Sequence, residues 1–188
     1  MDNLWGNFLW KQLGAAIDTL DKVALACPDA LWTEHLWSIP ASSDFPPQFS
    51  AFWYISYHAT FWLDLYLVGC PEEEFAPPAP FAQGEMDSDE TQPERPYTKA
   101  EVRGYLAVVR QKCHDTLMAL TDEQAQRQVE YPWTEGQPVS YLELQLYNMR
   151  HVQEHSAQLS LFLGQHEIPN ADEALDWVTR AKDAPVGA

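Results

Sequence analysis

His151 and His155 stand four residues apart in the stretch NMRHVQEHSAQL, residues 148–159, with Glu154 between them. On an α-helix each residue advances about 100°, so the two rings fall about 40° apart and share a face. Asn148 and Gln158 land within about 40° of their midpoint, and Leu144 and Phe162 fall almost on it. A line of polar residues, Asn148, His151, His155 and Gln158, therefore interrupts an otherwise apolar face. Burying such side chains without partners costs on the order of 1–3 kcal/mol each, so the line needs either a function or a network. Histidines at i and i+4 have Cβ atoms roughly 6 Å apart, close enough for both rings to reach one ion at about 2.1 Å.

Two histidines do not close a metal site, and the best candidate for a third ligand is His58. Its helical neighbours Ala51, Tyr54, Ile55, Phe61, Trp62 and Leu65 are all core-like, whereas Asp64 falls on the far side and is a poor ligand. Taken alone, a histidine among such residues reads as a satisfied core side chain; facing an HxxxH pair it reads as a ligand. His151-Val-Gln-Glu154-His155 also fits the HxxEH pattern of inverted zincins, with Glu154 as base. That reading would demand a further glutamate ligand on a helix well downstream, and the segment after His155 is short. His114 looks like a rim or surface residue, His35 and His166 lie in connections, and Cys113 reads as a small core hydrophobe. From the residues alone, a metal site, a hydrogen-bonded core and a protease box all stay open.

Five helical segments must position these residues. Residues 4–27 place Leu4, Phe8, Leu13, Ile17, Leu20 and Val23 at helical spacing. Residues 47–69 are nearly apolar throughout, as in a helix buried on most sides, and far too long for a typical strand. The segment 99–122 opens on the capping box Thr98/Glu101, and 141–164 opens on Ser140/Glu143. A short helix over about 171–181, capped by Asn170, closes the chain. The 70–97 connection is rich in proline and acids and has no helical or strand period. It is long enough to return along a helix of roughly 35 Å, so that the second and third helices can run parallel.

Composition restricts the partners. The 188 residues suit a single domain, with 46% hydrophobic and 13% aromatic content. Eleven Lys and Arg against 28 Asp and Glu give a formal charge of −17, which repels a polyanion, so nucleic acid is not an expected partner. There is no apolar run long enough to span a membrane. The amino end lacks a basic region before an apolar stretch, and the three cysteines are odd in number and never paired as CxxC. Both features lead to an expected cytoplasmic location. Eight Trp and the exposed faces of the first and third helices lead to an expected homodimer.

A histidine in the middle of an aromatic second helix (YHATFWLDLYL), followed by HxxxH late in the fourth (RHVQEHSAQLSLFLG), resembles the DinB-like metalloprotein superfamily. The resemblance covers roughly residues 1–165 and leaves 166–188 as an extension of the same domain. It implies an all-α four-helix bundle with up-down-down-up topology and a long crossover between helices two and three. It further implies one divalent metal ion held by His58, His151 and His155, and the family's metal-dependent enzymes include thiol S-transferases that use a low-molecular-weight thiol. Three imidazoles with an open position form the layout of a catalytic site, one that acidifies a bound thiol or water. The expected function is accordingly a metal-dependent transferase or hydrolase acting on a small molecule, and the alternative is a non-catalytic metal-binding bundle. Zinc is the default ion, with Ni, Fe or Mn also compatible. Asn148 and Gln158 are expected to orient the ligands, with Tyr54, Trp62 and Glu154 as pocket candidates.

Overall fold

A computed structural model describes residues 4–43, 45–81, 93 and 95–168. Its main elements are α1 (Leu4–Ala26), α2 (Phe52–Val68), α3 (Lys99–Met118), α4 (Asp122–Gln126) and α5 (Tyr141–Gln165). Between α4 and α5 lies a two-stranded antiparallel hairpin, β1 (Gln128–Val129) with β2 (Val139–Ser140), in which Gln128 pairs with Ser140 and Val129 with Val139. The helix expected at 171–181 and the middle of the 70–97 connection lie outside the described residues.

Both expected capping boxes form. Thr98 and Glu101 at α3, and Ser140 and Glu143 at α5, exchange side-chain and backbone hydrogen bonds. A third box, Thr121 with Gln124, starts α4. The start of α2 differs from the sequence expectation of residue 47. Pro47–Ser50 form a 3-10 turn, and Ala51 is extended at φ −74°, ψ 144°. The cause is tertiary pairing. Phe52 N donates to Glu34 O and Trp53 N to Trp32 O, both at 2.9 Å, while Leu36 N donates to Ser50 O at 2.8 Å. Amides that a longer helix would have bonded internally are satisfied by the 32–36 segment instead. Of the expected α1 stripe, Leu13, Ile17, Leu20 and Val23 are buried, whereas Leu4 and Phe8 in the first turns are exposed.

Side-chain contacts fix the helix directions. Arg103 pairs with Asp21 and Arg110 with Asp18, while His114 meets Trp10, so α3 runs antiparallel to α1. Trp53 and Tyr57 pack on Tyr97 just ahead of α3, and Asp64 further along α2 accepts from Tyr105 (2.8 Å) and Lys112, so α2 and α3 run parallel. The α2–α5 hydrogen bonds given below run antiparallel. The result is the up-down-down-up order, with α2 packed between α3 and α5. In the crossover, Phe75 packs on Phe61, and Phe81 stacks on Tyr57 and Tyr105, which seals the α2–α3 groove.

The α2–α5 register matters most for function. Gly69, at φ 65°, ends α2, and the last carbonyls of the helix are then taken up by side chains from the next elements. Asn148 Nδ2 donates to Leu63 O (3.3 Å), Gln145 Nε2 to Tyr66 O (2.7 Å) and the Tyr141 hydroxyl to Leu67 O (2.6 Å). Arg127 donates to Val68 O and Gly69 O, both at 3.2 Å. A Cβ at Gly69 would lie 2.6 Å from Arg127 Nη2 and 3.0 Å from the Tyr141 ring, so a larger residue at this positive φ would displace the Arg127 clamp. Carrying the pairing of 66 with 145 and 63 with 148 further along both helices puts His58 level with residue 153, midway between His151 and His155.

Candidate metal centre

The register brings the three histidines together. His151 Nε2 lies 3.2 Å from His58 Nε2 and 3.0 Å from His155 Nε2. The ligand atoms of the three residues all fall within 4.8 Å of one another, and all three side chains are half-buried. Donors that share one ion at about 2.1 Å stand roughly 3.0–3.4 Å apart for ordinary coordination angles, and the two distances from His151 fall in that range.

Proton bookkeeping supports the same fit. His155 Nδ1 lies 2.8 Å from Gln158 Oε1, and an amide oxygen only accepts, so Nδ1 carries the proton and the lone pair falls on Nε2. A ring nitrogen holds either a proton or a lone pair. His151 Nε2 therefore cannot donate to His155 and also accept from His58, and a continuous hydrogen-bonded chain through the three rings does not close. His151 Nδ1 is buried with no protein partner among the described residues. A metal-free network therefore leaves one of the Nε2 contacts unmade, whereas three inward lone pairs are what a cation requires; His151 Nδ1 lacks a protein partner in either case.

Electrostatics keep the lone pairs available. Burial first, then the neighbouring rings of His155 and His151, hold His58 well below the usual histidine range. Burial, and then His155, pushes His151 down to about 3. Burial also lowers His155, opposed by its bond to Gln158 and the charge of Glu154. All three rings are thus neutral at pH 7, the form that ligates.

The other sequence candidates spread out around this centre. Gln158 contacts His155 directly. Asn148, expected to orient a ligand, bonds to Leu63 O and Gln145 Oε1 and not to a ring. Trp62 sets its ring 6.2 Å from that of His58 in an edge contact. Tyr54, one turn before His58 in α2, is buried against Phe49 and Trp53. Glu154 is exposed and lines a groove with Gln12, Ala15 and Met149 between α1 and α5. His35 bonds to Ser50, His114 to Asp115 and His166 to Phe162 O, all away from the centre. Cys113 is fully buried in the core.

Four residues beside the centre carry no sequence expectation. Tyr147 lies nearly parallel to His151, with centroids 6.1 Å apart at 25°, and Tyr66 meets the same ring at 6.3 Å. Trp133, from the hairpin, lies 4.8 Å from Tyr147 with the rings tilted by 32°. Gln145 fixes the register. Tyr147 is detectable on the helical wheel, about 60° from the histidine midpoint, but Gln145 at about 100° is outside the polar line, and Trp133 sits in a segment with no period.

Four helices around one core, with neutral imidazoles from two of them converging at its edge, define an all-α bundle whose three-histidine group can hold a metal ion. The family model for the DinB superfamily matches residues 12–159, and the chain belongs to that superfamily. Comparison with curated proteins and with solved structures found no match.

Proposed function

We propose that this protein is a divalent-metal-dependent enzyme that acts on a small molecule by activating a thiol or water at its three-histidine centre. The observation that carries the reading is the donor set: three neutral Nε2 atoms on half-buried side chains, with no carboxylate among them. Neutral ligands leave the charge of a bound dication uncompensated, which strongly favours an anionic fourth ligand and lowers the pKa of a thiol or water placed there. The chain's own contribution is to hold the three lone pairs inward, with Gln158 fixing the His155 tautomer. In the thiol version, a thiol held at the centre would give its proton to solvent, and its sulfur would form a bond to an electrophilic carbon of the substrate as the bond from that carbon to a leaving group breaks and the leaving group takes up a proton. In the hydrolase version, hydroxide plays that part. Zinc is the default ion for imidazole ligands, with Ni, Fe and Mn the alternatives.

The test is elemental analysis of purified protein. It is expected to find about one divalent ion per chain, the stoichiometry of a single three-histidine site. His58→Ala and His155→Ala are expected to empty it, and unchanged metal content in both variants refutes the assignment. A screen of small thiols with electrophiles then separates an enzyme from a passive metal holder. The reading also takes the chain as a cytoplasmic homodimer. Leu4, Trp5 and Phe8 are each more than half exposed along α1, an apolar surface that a second copy would cover. Light scattering at the mass of one chain refutes that part alone. No helix among the described residues is long and apolar enough to cross a membrane.

A further inference from the structure

The aromatic residues beside the centre form a continuous wall that starts at the histidine rings themselves. We infer that the substrate presents a flat aromatic ring to the wall made by Trp62, Tyr66, Trp133 and Tyr147, while its reacting group occupies the three-histidine centre. This inference rests on the metal-dependent reading above and adds a substrate class to it.

Three observations carry it. First, the wall is contiguous with the centre: Trp62 meets His58, and both Tyr66 and Tyr147 meet His151. Second, its rings are not all covered. Trp62 and Tyr147 are half-buried and Trp133 is 42% exposed, whereas Tyr66 lies buried behind them. Third, it is built rather than incidental. Tyr66 packs against Trp62, Trp133 and Tyr147, with centroids 5.3, 5.9 and 5.6 Å away. Trp133 is also stacked on Tyr131 at 4°. The hairpin that carries it turns through two residues of positive φ, Glu135 and Gly136, and is tied to the end of α2 by Arg127.

The chemistry of the wall selects an aromatic ligand. Its rings lie tilted or edge-on to one another, and a further ring meeting them edge-on or in an offset stack gains more than its buried area alone provides. A cationic ligand is disfavoured, because the Arg150 guanidinium already lies 5.6 Å from the Tyr147 ring and a divalent ion at the centre would repel a second cation. An aliphatic ligand would gain burial but no ring-to-ring geometry.

The experiment uses Co²⁺-loaded full-length protein, whose visible bands report a ligand entering the centre. It compares phenylmethanethiol with cyclohexylmethanethiol, which have equal numbers of heavy atoms, and uses azide as a small-anion control. Phenylmethanethiol is expected to bind about tenfold tighter, the gain of one or two well-placed ring contacts. Trp133→Ala and Trp62→Leu should bring the ratio close to one without changing azide binding, and Trp133→Phe should retain the preference. Circular dichroism and Co²⁺ stoichiometry establish that each variant is folded and loaded. If Co²⁺ and azide bind normally but the two thiols bind alike, or the preference survives Trp133→Ala and Trp62→Leu, the aromatic assignment is wrong while the metal reading stands. If Co²⁺ does not bind the wild-type protein, both fall.

Discussion

Gln145 is the most direct handle on the geometry that assembles the histidines. It is fully buried, its Nε2 donates to Tyr66 O at 2.7 Å, and its Oε1 accepts from Asn148 Nδ2 at 3.2 Å. Gln145→Met keeps the length and most of the volume of the side chain, so the change reports the amide and little else. The Tyr66 carbonyl then lies buried beside a thioether, and Asn148 keeps only its longer bond to Leu63 O. An unsatisfied buried carbonyl costs about 1–3 kcal/mol. For a chain of this size, that lowers the melting temperature by roughly 3–10 °C. The second consequence is functional. If this bond sets the α2–α5 register, His58 loses its place between His151 and His155, and metal affinity falls about 10–100-fold, as when an outer support of a ligand is lost. The assay is thermal unfolding together with competition against a chromophoric chelator. Val109→Ala, a fully buried change in α3, serves as a control for destabilisation away from this helix pair. An unchanged melting temperature, or a loss of metal affinity no greater than in Val109→Ala, refutes the register argument.

Gln158→Ala frees the His155 tautomer and should also weaken metal binding about 10–100-fold, measured by the same competition. Acidification should destabilise the metal-free protein. The three folded-state rings titrate below the unfolded value of about 6.5, so the unfolded chain binds more protons as pH drops under 6.5. For His151 the loss grows to about 1.4 kcal/mol by pH 5.5, and His58 and His155 add to it in the same direction. Denaturant titrations at pH 7.5 and 5.5 should show it in the wild type and not in the triple variant His58→Gln/His151→Gln/His155→Gln, and equal slopes would contradict the burial argument. Ser140→Ala removes the α5 capping box and should cost about 1 kcal/mol, or roughly 2–4 °C, in the same thermal assay.

Features that depend on local periodicity were legible in the sequence. Helical spacing and capping residues located α1, α3 and α5 to within a few residues. The wheel around His151 and His155, with a histidine in an aromatic second helix, led to the group that the fold assembles. Features set by tertiary pairing were not legible. The break at Ala51 exists because the 32–36 segment bonds the first amides of α2, a partner that no local pattern announces. The α4 turn and the hairpin fall where too few residues repeat to establish a period, so Trp133 could not be placed beside the histidines. Asn148 was read as a support for the rings because it shares their face. The carbonyls of α2 compete for its amide, and in the fold they take it.

The line of side chains from α5 that caps the α2 carbonyls also constrains how this chain can change over time. One residue inserted between His58 and Leu63 would rotate the histidine by about 100° and move it about 1.5 Å along the axis, which removes it from the centre in a single event. Length changes in the connections on either side of the two helices leave that alignment intact. Insertions and deletions should therefore be confined to the loops, while residues 58–69 and 141–155 keep fixed lengths. The same arithmetic makes the centre transferable. Any antiparallel helix pair that reproduces those two lengths and the glutamine-to-carbonyl bond should align three imidazoles in the same way, whatever scaffold carries it.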